Sequence, residues 1–308
     1  MFAYSLKRIL LAVPTLLGVL LVSFLLLRGI PGNPAHVLVG ERASKEMIEA
    51  YEKKLGLHLP FAAQFGKYLL TTLQGDLGVS YFTGEPVLPT LLQKFPNTFK
   101  LALFALLFAF FVGTSTGIVA AAFKKSWLDK FLLFISLLGL SIPVFWIGLL
   151  LILGLAIYLP LLPPAGMGDG HLSYLILPVV TLGTRTAAAT FRLSRSCFLK
   201  ILKEKYIQTA LAKGVSKQKI LWVHVLKNAL IPIVTFLGLD FGGTLGGAVL
   251  TETVFGWDGI GRFAVQGLFQ RDYPVILGTI LFGAIVFVLI NVLVDLLYAK
   301  IDPRIEYK

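Results

Sequence analysis

The chain has 308 residues, of which 56% are hydrophobic and only 14% are charged, against about 25% charged residues in soluble proteins. A mean hydropathy of +0.83 and a single cysteine, Cys197, exclude a soluble two-domain protein, a disordered or collagen-like chain, a coiled coil and an internal disulfide scaffold. The composition predicts a polytopic membrane protein.

Six apolar stretches are long enough to cross the hydrocarbon core, which takes about 20 residues of helix. The fourth stretch contains Arg185 and the fifth contains Asp240. The predicted spans are Ile9–Leu27, Leu101–Phe123, Phe131–Tyr158, Tyr174–Phe191, Ala229–Thr251 and Val275–Val294. They predict an all-α polytopic membrane fold with six transmembrane helices.

The first span follows Lys7 and Arg8, as the apolar part of a cleaved signal peptide does. It is long for a signal peptide, and the sequence Arg28-Gly29-Ile30-Pro31 offers no cleavage site with small residues. We therefore expect residues 1–30 to form an uncleaved anchor helix.

The charges are distributed unequally between the two sets of connecting segments. An even number of spans places both termini on one side, together with 124–130 and 192–227, and that side carries 17 basic and 4 acidic residues. The opposite side carries 8 basic and 10 acidic residues. The positive-inside rule places both termini in the cytoplasm. Membrane topology thus accounts for most of the net charge of +12, and no nucleic-acid partner is needed.

The first outer loop, Pro31–Lys94, is far longer than a helical hairpin requires. Ser44 suits the N-cap of a helix and Gly56 its end, so the loop is predicted to contain a small helix. This region is either a cap on the outer surface or a docking surface for an external partner. The chain then divides into an anchor (1–30), an extracytoplasmic cap region (31–96) and a core with five spans (97–308).

The cytoplasmic loop at about 192–228 has a predicted structure of its own. Arg192–Lys227 contains nine basic residues and one acid, Glu204. Tyr206–Ala212 favours a short helix, Gly214 supplies a break, and Ser216 suits the cap of a second helix. The apolar positions of that second helix recur at helical spacing, at Ile220, Val223, Leu226 and Leu230. Such an elbow fits a groove in a protein partner, or it lies on anionic lipid headgroups.

The fifth span combines small residues with a carboxylate. Its glycines, which include Gly243 and Gly247, allow close helix packing or leave room for a substrate. Asp240 must face protein or water, because a charge near the middle of a membrane is costly. It either pairs with Arg185 or meets the amino group of a peptide. Glu252 is expected at the outer mouth, where it helps to gate the path or meets the ligand.

No pattern in the sequence predicts catalysis. The chain lacks the P-loop sequence of ATP-binding proteins, its four histidines do not have the spacing of a metal pair, and no nucleophile motif is present. We therefore expect a chain with no catalytic residues, no cofactor and no metal site.

Several short motifs, in order along the whole chain, resemble one known family. Gln208–Gly214, ten residues before His224-Val225-Leu226, is similar to the EAA loop of type I ABC-transporter permeases in the dipeptide, oligopeptide and nickel branch. The other motifs of that branch are matched at Pro31–Pro34, Leu55–Leu57, Gly75–Gly78, Leu250–Phe255, Arg271–Pro274, Asn291–Tyr298 and Asp302–Arg304.

The resemblance implies that the chain is half of the channel of an ATP-driven importer in a cell membrane. It implies a second, paralogous permease as the heterodimer partner, two cytoplasmic ABC ATPases, an extracytoplasmic solute-binding protein and surrounding membrane lipid. The ATPases would contact the elbow at Tyr206, Gln208, Thr209, Ala210, Lys213, Gly214 and Ser216. The path or gate would include Asp240, Gly243, Gly247 and Glu252.

Two other classes of function remain as alternatives. An ion-gradient-driven secondary transporter would use Asp240 as its coupling site, but it would not need the cytoplasmic elbow. A membrane scaffold or insertion factor without a substrate would not need the intramembrane charges. Within the resembling family the transported ligand is a dipeptide, a longer peptide, glutathione or a nickel chelate, and a short peptide is the default expectation.

Overall fold

A computed structural model describes the backbone at residues 2–29, 35, 39–40, 43–216 and 219–301. Side chains are described for the same residues except at 2–12, 27–29, 54–55, 222, 246–247 and 295–301. Within these ranges the extended structure is an isolated bridge between Val79 and Pro86, and the rest of the regular structure is helical. The predicted all-α class is confirmed.

The helices are numbered here in chain order. They are α1 (Phe2–Gly29), α2 (Lys45–Leu55), α3 (Phe61–Leu73), α4 (Val87–Phe108), α5 (Thr114–Ala122), α6 (Trp127–Ser141), α7 (Val144–Leu151), α8 (Ser173–Ile201), α9 (Lys205–Ala212), α10 (Leu226–Phe255), α11 (Ile260–Gln270) and α12 (Tyr273–Ile301). Segments of π-helix join α4 to α5 (Ala109–Gly113), extend α7 (Ile152–Tyr158) and precede α10 (Ile220–Val225).

The long apolar helices correspond to the predicted spans. The second, fourth, fifth and sixth spans lie in segments that are long and apolar enough to cross a membrane, namely Val87–Ala122, Ser173–Ile201, Val223–Leu245 and Tyr273–Val294. The first predicted span lies in α1, where the apolar stretch with described side chains is Val13–Leu26. The segment that holds the second predicted span begins at Val87, inside the predicted outer loop. Val87 and Leu91 are fully buried there in a core of their own.

The third predicted span is not one continuous helix. It consists of α6 and α7, with its π-helical extension, and the two parts are bent by 108°. Pro143 lacks a backbone N–H and disfavours a helical conformation at the preceding residue. Ile142 accordingly has an extended backbone, with φ −79° and ψ 131°. Phe131–Tyr158, predicted as one span, therefore consists of two helices that meet at a sharp bend.

The predicted helix in the first outer loop is confirmed. The Ser44 hydroxyl accepts a hydrogen bond from the Met47 N–H at 3.3 Å, as an N-cap does. The helix ends at Gly56, which has a left-handed φ of +70°. That conformation favours glycine because it lacks a Cβ atom.

The chain packs as two compact units. The core unit comprises Phe99–Trp257 with the described part of Leu289–Lys308, and the cap unit comprises Phe2–Thr98 and Asp258–Val288. Each unit draws on segments far apart in the chain. This grouping by packing differs from the linear division at residues 30 and 96, which remains a prediction about topology.

Helix α8 is the centre of the core unit, and small residues let its neighbours approach closely. A Cβ atom added at Gly117 of α5 would lie 2.6 Å from the Ser194 Cβ and 2.8 Å from the Phe191 carbonyl oxygen. A Cβ added at Gly183 of α8 would lie 2.8 Å from the Ala105 oxygen. Backbones in contact leave no room for a methyl group, as at small-residue interfaces in membranes.

We expect Gly117→Ala to destabilise the protein by about 1–3 kcal/mol, the usual cost of overpacking. Gly154→Ala is the matched control, because a Cβ at Gly154 has nothing within 4 Å. The thermal midpoint of the purified protein in detergent measures both effects. Equal midpoints for the two variants would contradict the close packing of α5 on α8.

The cap unit is held together by contacts between its outer segments. Asp272, which is 1% exposed, accepts hydrogen bonds from the Ser80 hydroxyl at 2.5 Å and from the Phe82 N–H at 3.3 Å. The Lys94 ammonium lies 2.5 Å from an Asp258 carboxylate oxygen. Polar bonds between residues more than 160 positions apart thus join the first and last outer segments of this unit.

Candidate functional site

The cytoplasmic elbow is built around Gly214. The predicted first helix is present as α9, and Gly214 follows it with φ +80°. The Gly214 N–H donates to the Leu211 oxygen at 3.0 Å and the Val215 N–H donates to the Ala210 oxygen at 3.1 Å. These bonds satisfy carbonyl groups at the end of α9, as helix C-caps with a left-handed glycine do.

The second half of the elbow begins as predicted and then departs from α-helical geometry. The Ser216 hydroxyl accepts from the Lys219 N–H at 3.4 Å, and the segment from Ile220 to Val225 is π-helical. A π-turn contains one more residue than an α-turn. As a result Val225 is fully buried together with Ile220, whereas Val223 is 50% exposed. The prediction that Val223 lies on the apolar face was wrong.

The elbow is anchored on one side and open on the other. Ile207 is fully buried against a core cluster that contains Phe198, Ile220 and Val225. The remaining predicted coupling residues keep their side chains accessible: Ala210 is half-buried, and Tyr206, Gln208, Thr209, Lys213, Gly214 and Ser216 are exposed. A short helix held by its buried face can present its other face to a partner.

Three of the four predicted path residues lie on one face of α10. At about 100° per residue, Asp240, Gly243 and Gly247 fall within a narrow stripe, whereas Glu252 is turned about 120° away from Asp240. Glu252 is fully buried. A ligand can contact its carboxylate only after the surrounding helices move.

The Asp240 carboxylate accepts a hydrogen bond from a neighbouring helix. The Thr186 hydroxyl of α8 donates to an Asp240 carboxylate oxygen at 2.6 Å. The Thr244 hydroxyl donates to the Asp240 backbone oxygen at 2.9 Å and lies 3.3 Å from the same carboxylate oxygen. Arg185 is exposed, and it forms no ion pair with Asp240 within the described part of the chain. Of the two alternatives for Asp240, the pair with Arg185 is therefore not formed among the described residues. Thr186 is one of four threonines in the fourth span, and no sequence pattern distinguishes it from the other three.

Two glycines of α10, Gly238 and Gly243, have different surroundings. A Cβ added at Gly238 would lie 2.8 Å from the Val294 Cγ1 atom of α12, whereas at Gly243 nothing lies within 4 Å. Gly238 therefore serves helix packing. Gly243, one turn away from Asp240, leaves room beside that carboxylate.

An ion pair at the cytoplasmic end of the core unit was not predicted. Arg195 of α8 donates two hydrogen bonds to Asp129 of α6, from Nε to Oδ1 at 2.7 Å and from Nη2 to Oδ2 at 2.8 Å. The Lys125 N–H also donates to Oδ2, at 2.9 Å, and Asp129 is 2% exposed. The sequence signal was the single acid of the basic segment 124–130, which the predicted topology places on the same side as the basic segment 192–227 that contains Arg195.

Metal-ligating side chains do not gather in this region. Among the residues whose side chains are described, no three of the His, Cys, Asp or Glu type lie together in a way that could hold an ion.

Two protein-family models together match nearly the whole chain. Residues 113–307 match the model described as "Binding-protein-dependent transport system inner membrane component". Residues 1–102 match the N-terminal model of the same membrane component.

Curated relatives match over their full length. The chain is 40% identical to the dipeptide transport system permease protein DppB of Alkalihalophilus pseudofirmus over an alignment of 333 positions. It is 42% identical to the glutathione transport system permease protein GsiC of Pectobacterium atrosepticum over 308 residues. In both cases the alignment covers 100% of each chain.

A solved structure supports the fold. The inward-facing MetNI methionine ABC transporter matches with a TM-score of 0.61 and 18% identity, over 71% of this chain and 99% of the other. The elbow, the apolar helices, the family models and the full-length relatives agree. The chain belongs to the inner-membrane components of binding-protein-dependent transport systems, as a multi-pass permease of the type I ABC importers in the dipeptide, oligopeptide and nickel branch.

Proposed function

We propose that this chain forms half of the translocation channel of an ATP-driven importer of short peptides. The observation that carries the proposal is the elbow at 206–216, which is anchored through Ile207 and presents an accessible face. A permease without ATPase partners has no use for a rigid cytoplasmic docking element. The named substrates of the full-length relatives, a dipeptide and glutathione, support a peptide of two or three residues.

The proposal includes four kinds of partner. A second, paralogous permease completes the channel, two cytoplasmic ABC ATPases contact the elbow, an extracytoplasmic binding protein delivers the peptide, and lipid surrounds the spans. In this arrangement residues 1–30 anchor the chain, 31–96 form the extracytoplasmic cap region and 97–308 form the permease core.

The proposed coupling works through two-state movement. Closure of the ATPases on ATP pushes α9, and the force passes through Ile207 into the cluster that holds Phe198 of α8 and Ile233 of α10. Both helices then move together, because their side chains share one core. The Asp240 carboxylate, Gly243 and Gly247 lie on the face of α10 that we assign to the path.

The test is peptide uptake into proteoliposomes that contain both permeases, the ATPases and the binding protein. We expect uptake of a labelled dipeptide to require ATP and the binding protein. Uptake under a proton or sodium gradient without ATP would instead support a secondary transporter centred on Asp240.

Asp240→Asn tests the path. We expect it to raise the KM for dipeptide uptake at least tenfold, because hydrogen bonds to charged groups contribute about 1.5–3 kcal/mol and each 1.4 kcal/mol is a factor of about ten. The amide still accepts a hydrogen bond from Thr186, so the folded protein should be retained. Asp258→Asn, at an exposed carboxylate of the cap unit, is the control. An unchanged KM in Asp240→Asn would remove Asp240 from the path.

A further inference from the structure

The core unit contains an apolar groove between α5, α6 and α8. Its volume is about 220 Å³, and its walls include Val112, Ile135, Ala188 and Phe191. Phe191 is buried at the back of the groove, whereas Val112 and Ile135 are exposed. The groove therefore opens on the surface of the unit and can admit a molecule from outside.

The hydroxyl groups that line this groove are already bonded to the backbone. Those of Thr116, Ser136 and Thr184 donate to carbonyl oxygens three or four positions earlier in the chain, at 2.5, 2.8 and 2.5 Å. A hydroxyl has a single donor, so none of the three has a donor left for a ligand. With apolar side chains between them, the groove suits a hydrocarbon chain.

A second pocket continues the groove along the same face of α8. Thr184, Ala188 and Phe191 line the apolar groove, and Arg195 and Leu199 line a pocket of about 590 Å³. These five positions follow one another at intervals of three or four residues, which places them on one side of the helix. The groove and the pocket are thus consecutive parts of one surface.

The second pocket is basic. Four of its side chains are cations and one is an acid: Arg195, Lys200, Lys203, Lys205 and Glu204. The three lysines are exposed. Arg195 uses Nε and Nη2 for its bonds to Asp129, which is two of the five N–H donors of a guanidinium. Even with Arg195 neutralised by Asp129, the lysines outnumber the acid, so this basic pocket favours an anion.

The boundary between the groove and the basic pocket lies at the depth of lipid headgroups. Trp127 is exposed and stacks on Phe131 with ring centroids 5.3 Å apart, and tryptophan is enriched at membrane–water interfaces. It lies two positions before Asp129, which binds Arg195. From Arg195 to Thr184 the helix rises about 17 Å, close to the about 15 Å of hydrocarbon in one leaflet.

We propose that the apolar groove and the basic pocket together bind one anionic phospholipid of the cytoplasmic leaflet. An acyl chain lies in the groove against Phe191 and Ile135, and the phosphate lies among Arg195, Lys200 and Lys203. Basic pockets between membrane helices on the cytoplasmic side bind anionic headgroups. The bound lipid would hold the end of α8, directly before α9, at the membrane surface.

The experiment is a lipid titration followed by native mass spectrometry. The chain is purified with the subunits that accompany it and is then stripped of lipid in detergent. The probes are phosphatidylglycerol and phosphatidylcholine with identical acyl chains. We expect phosphatidylglycerol to bind at least tenfold more tightly, because only its headgroup has a net negative charge. Equal binding of the two lipids, or no binding of phosphatidylglycerol, would overturn the proposal.

A pair of double variants tests the headgroup site. Lys200→Met with Lys203→Met should reduce the preference for phosphatidylglycerol at least tenfold. Lys219→Met with Lys227→Met is the matched control, because it removes the same charge from exposed lysines of the same cytoplasmic segment that do not line the basic pocket. Equal losses in the two double variants would show that net charge alone attracts the lipid, and the site would be lost.

Substitutions in the groove test the acyl chain. Ile135→Trp should fill the groove and weaken phosphatidylglycerol binding at least tenfold, and Val112→Trp should do the same from a different wall. Leu137→Trp is the control, since Leu137 is an exposed apolar residue of α6 that does not line the groove. Unchanged binding in both groove variants would mean that the headgroup is held without the groove, which contradicts the proposal.

The lipid titration is independent of the proposed function, because it needs no peptide, ATP or binding protein. ATP-dependent peptide uptake without a preference for phosphatidylglycerol would remove the lipid site alone. Phosphatidylglycerol bound only after the other subunits are removed would show that one of them covers the groove, and it would also overturn the lipid site.

Discussion

Gly214→Val is expected to abolish ATP-driven uptake while the chain still inserts into the membrane. Gly214 has φ +80°, a left-handed conformation that costs about 1–2 kcal/mol for residues with a Cβ atom, and a β-branched residue is a stronger outlier there. The strain is relieved by opening the bonds at the end of α9 from Gly214 to Leu211 and from Val215 to Ala210. The accessible face of α9 would then no longer be held in one orientation. Uptake and ATPase stimulation by the peptide-loaded binding protein measure the loss.

Two control variants distinguish a specific role of the elbow from the effect of backbone strain elsewhere in the protein. Gly214→Asn should keep most of the activity, because asparagine tolerates the left-handed region. Gly84→Val introduces the same kind of strain in the cap unit, where φ is +74° and a Cβ would meet open space, as it would at Gly214. It should leave coupling of ATP hydrolysis to uptake intact. Equal losses in Gly214→Val and Gly84→Val would show that the elbow has no special role.

Asp129→Leu is expected to cost the fold far more stability than the removal of an exposed charge such as Asp258. Asp129 is almost fully buried and receives two bonds from Arg195 and one from the Lys125 N–H. Removal of one partner of a buried pair costs about 3–5 kcal/mol, because it leaves the other charge uncompensated. The Arg195 side chain keeps 21% of its surface exposed, so we expect a loss of about 3 kcal/mol, at the lower end of that range. Thermal midpoints in detergent measure the loss.

The double variant Asp129→Leu with Arg195→Met should recover part of that stability, since neither charge is then stranded. Asp258→Leu is the matched control. It breaks an ion pair whose carboxylate is 55% exposed, and exposed pairs contribute only about 0–1 kcal/mol. If Asp129→Leu cost no more than Asp258→Leu, the pair between α6 and α8 would not stabilise the fold.

Local features of the sequence were enough to predict several elements correctly. The apolar lengths located the spans, Ser44 and Gly56 marked the ends of α2, and Gly214 marked the end of α9. Each of these properties depends on residues that are neighbours in the chain. Hydropathy over about 20 residues, an N-cap hydroxyl and a left-handed glycine act within a few turns. The ordered motifs then pointed to the permease family without knowledge of any contact.

Other features depend on which segments pack against each other in the folded chain. The bend at Pro143 had a local cause, but only the fold gave its angle of 108°. The π-turn before α10 buries Val225 in place of Val223, because Ile207 and Phe198 supply the core on that side.

The sequence by itself determined the membrane class, the sidedness of the loops, the elbow and the family. The tertiary structure decided which partner each intramembrane or buried charge takes: Thr186 rather than Arg185 for Asp240, and Arg195 for Asp129. The physical reason is the distance along the chain over which each effect acts. Hydropathy and backbone preference act between neighbours in the chain, whereas a buried charge takes its partner from segments that only folding brings together.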